Sequence, residues 1–153
     1  MSKIEFSYKL ENNLPAASQA LTAALQMWAE LTGGEMENLS HRDVAEGGTP
    51  VDTGRLRNSI TYAHSGHQGF THSYSDDEGN PYSDSVGSGA EPNTVYIGTM
   101  VDYAEWVEDG LQGHNFGGLG AGVGAHMLRN AVTDVGDKSP KYLKESLEAQ
   151  KID

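Results

Sequence analysis

The chain has 153 residues, with 22 acidic and 10 basic side chains and a formal net charge of −12. This length suits one domain with a single hydrophobic core of modest size. The acidic excess argues against sequence-independent binding of nucleic acid through its phosphates. The lack of cysteine excludes disulfides, a thiol nucleophile and a thiolate zinc site, and no apolar run has the length of a signal peptide or membrane helix, so we expect a soluble protein made in a cytoplasm.

The first predicted elements are a strand and a long helix. Apolar and polar residues alternate over 3–10, which predicts a strand with one solvent-exposed face. Asn13 can cap a helix over 14–45, whose apolar residues recur at helical spacing and include Trp28 as a core residue. A glycine pair at 33–34 lies inside this stripe, so we expect the helix to kink or restart there.

The segment 49–60, Thr-Pro-Val-Asp-Thr-Gly-Arg-Leu-Arg-Asn-Ser-Ile, combines a rigid turn, a polar cap and the start of an apolar pattern. Pro50 fixes its own φ, and Gly54 permits a backbone twist that a Cβ would oppose. The Asp52 carboxylate can accept hydrogen bonds from the amides two and three residues on. We therefore predict a turn with Asp52 as its structural cap, feeding a half-buried strand over 58–65.

The same segment permits an enzymatic alternative. Val-Asp-Thr-Gly at 51–54 matches the signature of aspartic proteases, in which two such loops from two subunits share a proton between carboxylates. The cation Arg55 follows directly and would favour the ionised form of Asp52, which argues against a shared proton. A dimeric aspartic protease using Asp52 is thus an alternative that the sequence context disfavours.

The stretch 66–92 is rich in Ser, Gly, Asp, Asn and His and is too long for a tight turn. We predict a hairpin extension or an arm that contacts a partner, which leaves a generic non-catalytic adaptor as a further alternative. Histidines and acidic residues in this stretch and just before it suggest a metal site, but their spacing fits neither a helical His pair nor an EF-hand loop, so we predict no metal and no cofactor. These residues are His64, His67, His72, Asp76, Asp77 and Glu78.

A strand over 95–100 and a short helix follow. Asp102 and Glu105 form an Asp-x-x-Glu capping box, and Gly110 is expected to end the helix. We interpret Glu105 and Glu108 as a cap and a surface charge, because no nucleophile or histidine stands at a fixed offset from them. Three residues are expected on the buried face of this helix: Tyr103, Trp106 and Val107.

The last third of the chain begins with a loop over 113–124 that holds six glycines. A helix over 126–135 is predicted to close the core, and Ser-Pro opens a last helix over 139–150. Leu143 and Leu147 form a narrow apolar seam on that helix, which suits docking to a neighbour.

Three of these segments resemble, in order, a family of small tail-component or neck proteins of long-tailed bacteriophages. The segment 49–60 is similar to the family pattern Pro-x-(Asp)-Thr-Gly-x-Leu-(Arg)-x-Ser-Ile. Residues 95–98 and 103–110 resemble its Tyr-Ala-x-x-hydrophobic-Glu-x-Gly element, and 127–132 resembles its closing helix, although Ala-His replaces the usual Pro before it. The motif residues that we single out as structural are Pro50, Asp52, Thr53, Gly54, Leu56, Tyr103, Glu105 and Gly110.

The elements together predict an α+β fold. A small, mainly antiparallel sheet from 3–10, 58–65 and 94–100 would pack against the long N-terminal helix, with two to three shorter helices and long loops. We expect a single domain over 1–136, with 66–92 as its loop or arm, and a helical tail over 137–153.

The resemblance implies a structural virion protein, assembled in the host cytoplasm, without catalysis. It would be a neck or tail-completion component that forms a homo-oligomeric ring, a hexamer or dodecamer, at the head-tail junction. Its partners would be copies of itself and neighbouring neck and tail proteins, with no membrane, and DNA would pass through without specific binding. We expect the oligomer contacts to include Arg55, Arg57, Leu143 and Leu147.

Overall fold

The computed structural model describes residues 8–11, 19–65, 69–87, 91 and 93–150. The predicted residues 3–7 of the first strand, and the predicted helix cap Asn13, lie outside these ranges. In chain order the elements are β1 (Tyr8–Glu11), α1 (Gln19–Ser40), a 3-10 helix (Val44–Glu46), α2 (Arg55–Ser59), β2 (Thr61–His64), β3 (Phe70–Ser75), β4 (Pro81–Val86), β5 (Thr94–Gly98), α3 (Ala104–Asp109), α4 (Met127–Gly136) and α5 (Ser139–Ala149).

The strands form two antiparallel sheets. One has the order β1-β5-β2, with Ile97 opposite both Tyr8 and Tyr62. The other is the β3-β4 hairpin, in which Tyr74 lies opposite Tyr82. Helices and antiparallel sheets in one core confirm the α+β prediction, and the hairpin predicted within 66–92 is present.

Helix α1 packs against β2 and β5 of the three-stranded sheet and against α4 and α5. It runs unbroken from Gln19 to Ser40, so the helix does not restart at the glycine pair, and it ends five residues before the predicted end at 45. Gly33 is buried, and a Cβ there would overlap the ring of Tyr62. The missing side chain therefore lets helix and sheet approach each other closely, which explains a glycine inside a helix.

The strand predicted over 58–65 is shorter than expected, because α2 occupies residues 55–59 and β2 begins at Thr61. The buried side chains Leu56, Ser59 and Ile60 are three to four residues apart, which is the spacing of a helix face. The Ser59 hydroxyl accepts or donates a hydrogen bond with the Thr99 hydroxyl at 2.5 Å. One helical turn thus precedes the strand.

Helix α5 lies along α1. Trp28 Nε1 donates a hydrogen bond to Ser139 Oγ over 2.8 Å, Ser146 is buried, and Leu143 packs against the core. The domain boundary at 137 stays a prediction, as does the docking role of Leu143. None of the helices in the described ranges is both long and apolar enough to cross a bilayer.

Candidate functional site

A cleft of about 640 Å³ opens beside the turn at 50–56. The turn forms one wall, and segments distant in sequence form the others. These are Tyr82 from the hairpin, Tyr103 just before α3, Val107 within α3, and residues 115–117 from the glycine-rich loop. The cleft is therefore a product of the tertiary fold.

Thr53 and Gly54, rather than Asp52, hold the turn. Thr53 Oγ1 accepts a hydrogen bond from the Arg55 amide at 3.3 Å, and its carbonyl accepts one from the Asp77 amide at 2.7 Å. Gly54 is the N-cap of α2 with φ 84°, and a Cβ there would overlap the Asp77 carboxylate. Asp52 is exposed and has no hydrogen bond among the described residues, so the predicted Asp52 cap is wrong.

Two arginines of α2 fasten the hairpin to the rest of the molecule. The Arg55 guanidinium lies 4.4 Å from the centre of the Tyr82 ring, a cation–π contact. Arg57 Nη2 donates to Asp77 Oδ1 at 2.8 Å. Tyr82 stacks on Tyr74 with ring centroids 5.5 Å apart. Arg55 and Arg57, two of the four predicted oligomer contacts, thus have partners within the same chain.

Tyr74 connects this stack to the hairpin strands. Its hydroxyl donates to Asp84 Oδ2 at 3.0 Å. Burial, and then the hydrogen bond to Asp84, raises the pKa of Tyr74 to about 12. The hydroxyl is a donor at neutral pH, as in any tyrosine, and the raised pKa means that it keeps its proton in more alkaline solution.

The buried and exposed side chains of helix α3 differ from those predicted. Its N-cap is Tyr103, one residue after the expected Asp102, and Gly110 ends it as predicted, with its amide bonded to the Trp106 carbonyl. Trp106 is 40% exposed, so its predicted burial is wrong. Glu108, predicted as a surface charge, is completely buried.

Glu108 caps a helix other than its own. Its Oε2 accepts a hydrogen bond from the Leu128 amide at 2.9 Å, and its Oε1 accepts one from the Arg129 amide at 3.0 Å. These amides belong to the first turn of α4, whose N–H groups lack helical partners. The N-cap residue of α4, His126, makes no side-chain cap bond. The Glu108 carboxylate therefore replaces a conventional N-cap.

The glycine-rich loop is fixed to α3 where it ends. The Ala125 amide donates to the Val107 carbonyl at 2.7 Å, and the His126 amide to the Glu108 carbonyl at 3.1 Å. A Cβ on Gly124 would lie 2.6 Å from the Asp109 carbonyl carbon. Glycine is thus required where the two backbones pass each other.

The histidines of the hypothetical metal site lie in different structures. His64 is buried and its Nε2 is 2.6 Å from Glu30 Oε1, across the contact between β2 and α1. His72 Nε2 is 3.1 Å from the Asn58 carbonyl oxygen, at the base of the hairpin. His67 lies outside the described residues. No metal-binding group of three such side chains occurs in the described part of the chain.

The acidic residues of that hypothesis lie at the hairpin tip. Asp76 Oδ1 accepts hydrogen bonds from the backbone amides of Glu78 at 3.0 Å and Asn80 at 2.9 Å. The side-chain hydrogen bond from Asn80, first among several, lowers the pKa of Asp76. This carboxylate therefore closes the turn between β3 and β4.

The three segments singled out in the sequence meet around the cleft and behind it. Leu56 of the first and Val107 of the second line it, and both belong to the buried core. Glu108 joins the second segment to Leu128 of the third. Sequence reasoning missed the Glu108–Leu128 hydrogen bond and the position of Phe116 in the wall of the cleft. Nothing in the residues next to Glu108 or Phe116 indicates which distant segment each of them contacts.

Replacing Asp52 with asparagine is expected to change the free energy of unfolding by less than about 0.5 kcal/mol, as is usual for exposed residues without partners. Gly54→Ala is the contrasting change and should cost about 1–2 kcal/mol, because an L-residue is strained at this positive φ. Urea unfolding followed by circular dichroism measures both. A loss at Asp52 as large as that at Gly54 would contradict the conclusion that Asp52 does not hold the turn.

A family model described as "Bacteriophage HK97-gp10, putative tail-component" matches residues 8–110, more than half of the chain. The match includes the turn, the hairpin and α3, and therefore most of the cleft. No curated protein and no solved structure matches the chain with significance.

Proposed function

The chain belongs to the HK97-gp10-like family of bacteriophage tail components, and from this premise we propose that it forms a ring at the head-tail junction. A protein of this family is a structural part of the tail and is located in the virion. In our proposal it is a neck or tail-completion component, assembled in the host cytoplasm. The match of the family model is the observation that carries the proposal.

A non-catalytic role is supported by how the motif residues are used. Thr53 and Gly54 hold the turn, Leu56 fills the core, and Glu108 fastens α4. Asp52 is the one carboxylate among the described residues that line the cleft. These four motif residues thus have structural roles in the domain.

The charge of the chain supports passage of DNA without retention. A net charge of −12 disfavours contacts that neutralise phosphates. The two arginines nearest the cleft are engaged by the hairpin, through Tyr82 and Asp77. A ring of such subunits would let DNA move through its opening because few cations are available to hold it.

The partners in this proposal are further copies of the chain and the neighbouring neck and tail proteins. A ring requires a heterologous contact, in which one surface of a subunit meets a different surface of the next. The cleft lined by Tyr82, Tyr103 and Phe116 offers one concave surface for such contacts. We propose six or twelve copies, with Arg55, Arg57, Leu143 and Leu147 close to the contacts.

Native mass spectrometry and negative-stain electron microscopy of the purified chain test the ring. We expect closed particles of six or twelve copies. The fraction of the protein found in rings should rise with protein concentration. The measurement is repeated with neighbouring neck and tail proteins added. A monomer under all these conditions would overturn the proposal, and a compact dimer that cleaves peptides only when Asp52 is intact would favour the protease instead.

A further inference from the structure

The β3-β4 hairpin forms a sheet of its own, and its two edges have different surroundings. Helix α2 lies against β3, where Asn58 Nδ2 donates a hydrogen bond to the Ser75 carbonyl at 2.7 Å. Strand β4 has no such cover, because β3 is the one element of the described ranges that it contacts extensively. The side of β4 that faces away from β3 is therefore an open sheet edge.

The hydrogen bonds of the hairpin determine which backbone groups of β4 point away from β3. Next to the turn, the Asp76 amide donates to the Asn80 carbonyl at 3.1 Å. Bonded pairs alternate along an antiparallel ladder, so Tyr74 and Tyr82, the next pair but one, are bonded to each other as well. Three residues of β4 lie between the bonded pairs and direct their backbone groups outward: Pro81, Ser83 and Ser85.

These outward backbone groups are available for pairing with another strand. In the part of the chain that the structure describes, the outward N–H and C=O groups of Ser83 and Ser85 have no hydrogen-bond partner. Natural edge strands usually carry charges, prolines or bulges that prevent pairing. Here both serines are exposed and uncharged, and the one proline, Pro81, is the first residue of the strand. We call Pro81, Ser83 and Ser85 the β4 edge.

We infer that the β4 edge pairs with the β4 edge of a second copy of the chain, antiparallel and with Ser83 opposite Ser83. In this register each Ser83 amide donates to the Ser83 carbonyl of the other copy. Each Ser85 amide donates to the Pro81 carbonyl of the other copy, so the missing N–H of proline removes no bond that the serines make. The two hairpins then form one four-stranded sheet, which is more stable than a two-stranded one.

Charge selects this register. Asp84 is the one charged residue of β4, and in the proposed register it lies opposite Tyr82 of the second copy. A register with Ser83 opposite Ser85 would place the two Asp84 side chains directly opposite each other, which is destabilising. A shift in the other direction would place Ser85 opposite Gly79, which belongs to the turn rather than to the strand.

This contact goes beyond the proposed ring. A contact in which both copies use the same surface has twofold symmetry, so it pairs copies and does not close a ring. The ring requires a heterologous contact elsewhere on the subunit. The pairing and the ring therefore succeed or fail independently.

Hydrogen exchange of the wild type tests the pairing without any substitution. The amides of Ser83 and Ser85 have no partner in a single copy but are bonded in the pair. We expect their exchange to slow as protein concentration rises, in step with the paired fraction in sedimentation velocity. The Ser73 amide lies opposite Ser83 in the hairpin and points away from β4, so its exchange should stay fast.

Proline substitutions locate the edge that pairs. Ser83→Pro removes an N–H that takes no part in the hairpin ladder, and it removes both central hydrogen bonds of the pair. We expect the dissociation constant of the pair to rise about tenfold or more. Ser73→Pro makes the same change at the cross-strand position on β3 and should pair like the wild type.

Opposite charges at residue 83 test the register. Ser83→Lys and Ser83→Asp each place like charges opposite each other at the centre of the contact, so each variant alone should lose the pair. An equimolar mixture should restore it as mixed pairs, seen by mass in native mass spectrometry. Because a misfolded variant is not rescued by mixing, the restored pairs also show that both variants are folded.

The outcomes separate the pairing from the ring. If the Ser83 and Ser85 amides exchange equally fast at all concentrations, if Ser83→Pro pairs like the wild type, or if the mixture restores nothing, the β4 contact is wrong even where rings form. Pairs without rings would overturn the ring and leave the β4 contact in place. A wild type that stays monomeric overturns both.

Discussion

Replacing Trp28 with alanine is expected to lower the free energy of unfolding by about 3–5 kcal/mol, the usual cost of truncating a buried aromatic residue. Trp28 is completely buried, and its Nε1 donates to Ser139 Oγ at 2.8 Å. The change therefore leaves a cavity under α1 and removes a bond that joins α1 to α5. Thermal unfolding followed by circular dichroism should show a midpoint lowered by roughly 10 °C.

The second tryptophan provides the matched control. Trp106 is 40% exposed, so Trp106→Ala removes the same side chain from a partly exposed site and should cost less than Trp28→Ala, about 1–2 kcal/mol. Trp28→Phe keeps most of the volume but removes the donor to Ser139, and its loss should fall between the two. Equal midpoints for Trp28→Ala and Trp106→Ala would contradict the described core.

The parts of the fold that the sequence predicted depend on local periodicity. Helix α1 has apolar residues at helical spacing over many turns, and β5 is a short apolar run between turn residues. Such patterns report burial of one face without any knowledge of the partner. The α+β class and the approximate positions of these elements follow from them.

Local patterns failed where the choice between structures depends on a few residues. Over 55–59, one helical turn and the start of a strand give similar apolar spacing, and the contact of Ser59 with Thr99 favours the helix. Within the turn, the side chains of Asp52 and Thr53 are both capable of accepting a hydrogen bond from a backbone amide further along the chain. Thr53 prevails because its carbonyl also accepts a hydrogen bond from Asp77, 24 positions later.

The two faces of α3 could not be predicted because hydrophobicity was a poor guide there. A tryptophan is usually placed inside and a glutamate outside. In α3 the glutamate is buried since two amides of α4 satisfy its charge, and the tryptophan is exposed. The cleft was also beyond sequence reasoning, because four separate segments have to come together before it exists.

Glu108 gives the second large effect. Glu108→Ala is expected to cost about 2–4 kcal/mol, because two hydrogen bonds to a charged group are lost and the amides of Leu128 and Arg129 lose their acceptor. Leu128 is completely buried, so water does not easily replace the carboxylate there. Urea unfolding gives the free energy, and hydrogen exchange of these two amides reports the first turn of α4.

Two neighbouring changes make the result specific. Glu108→Gln retains an acceptor oxygen and nearly the same shape, but its amide group places a donor beside the helix amides, so a loss smaller than that of Glu108→Ala is expected. Asp109→Asn alters an exposed carboxylate whose nearest cation is 4.0 Å away, and should change stability by less than about 0.5 kcal/mol. If Asp109→Asn cost as much as Glu108→Ala, or if the Leu128 and Arg129 amides stayed protected in Glu108→Ala, the carboxylate would not be the cap of α4.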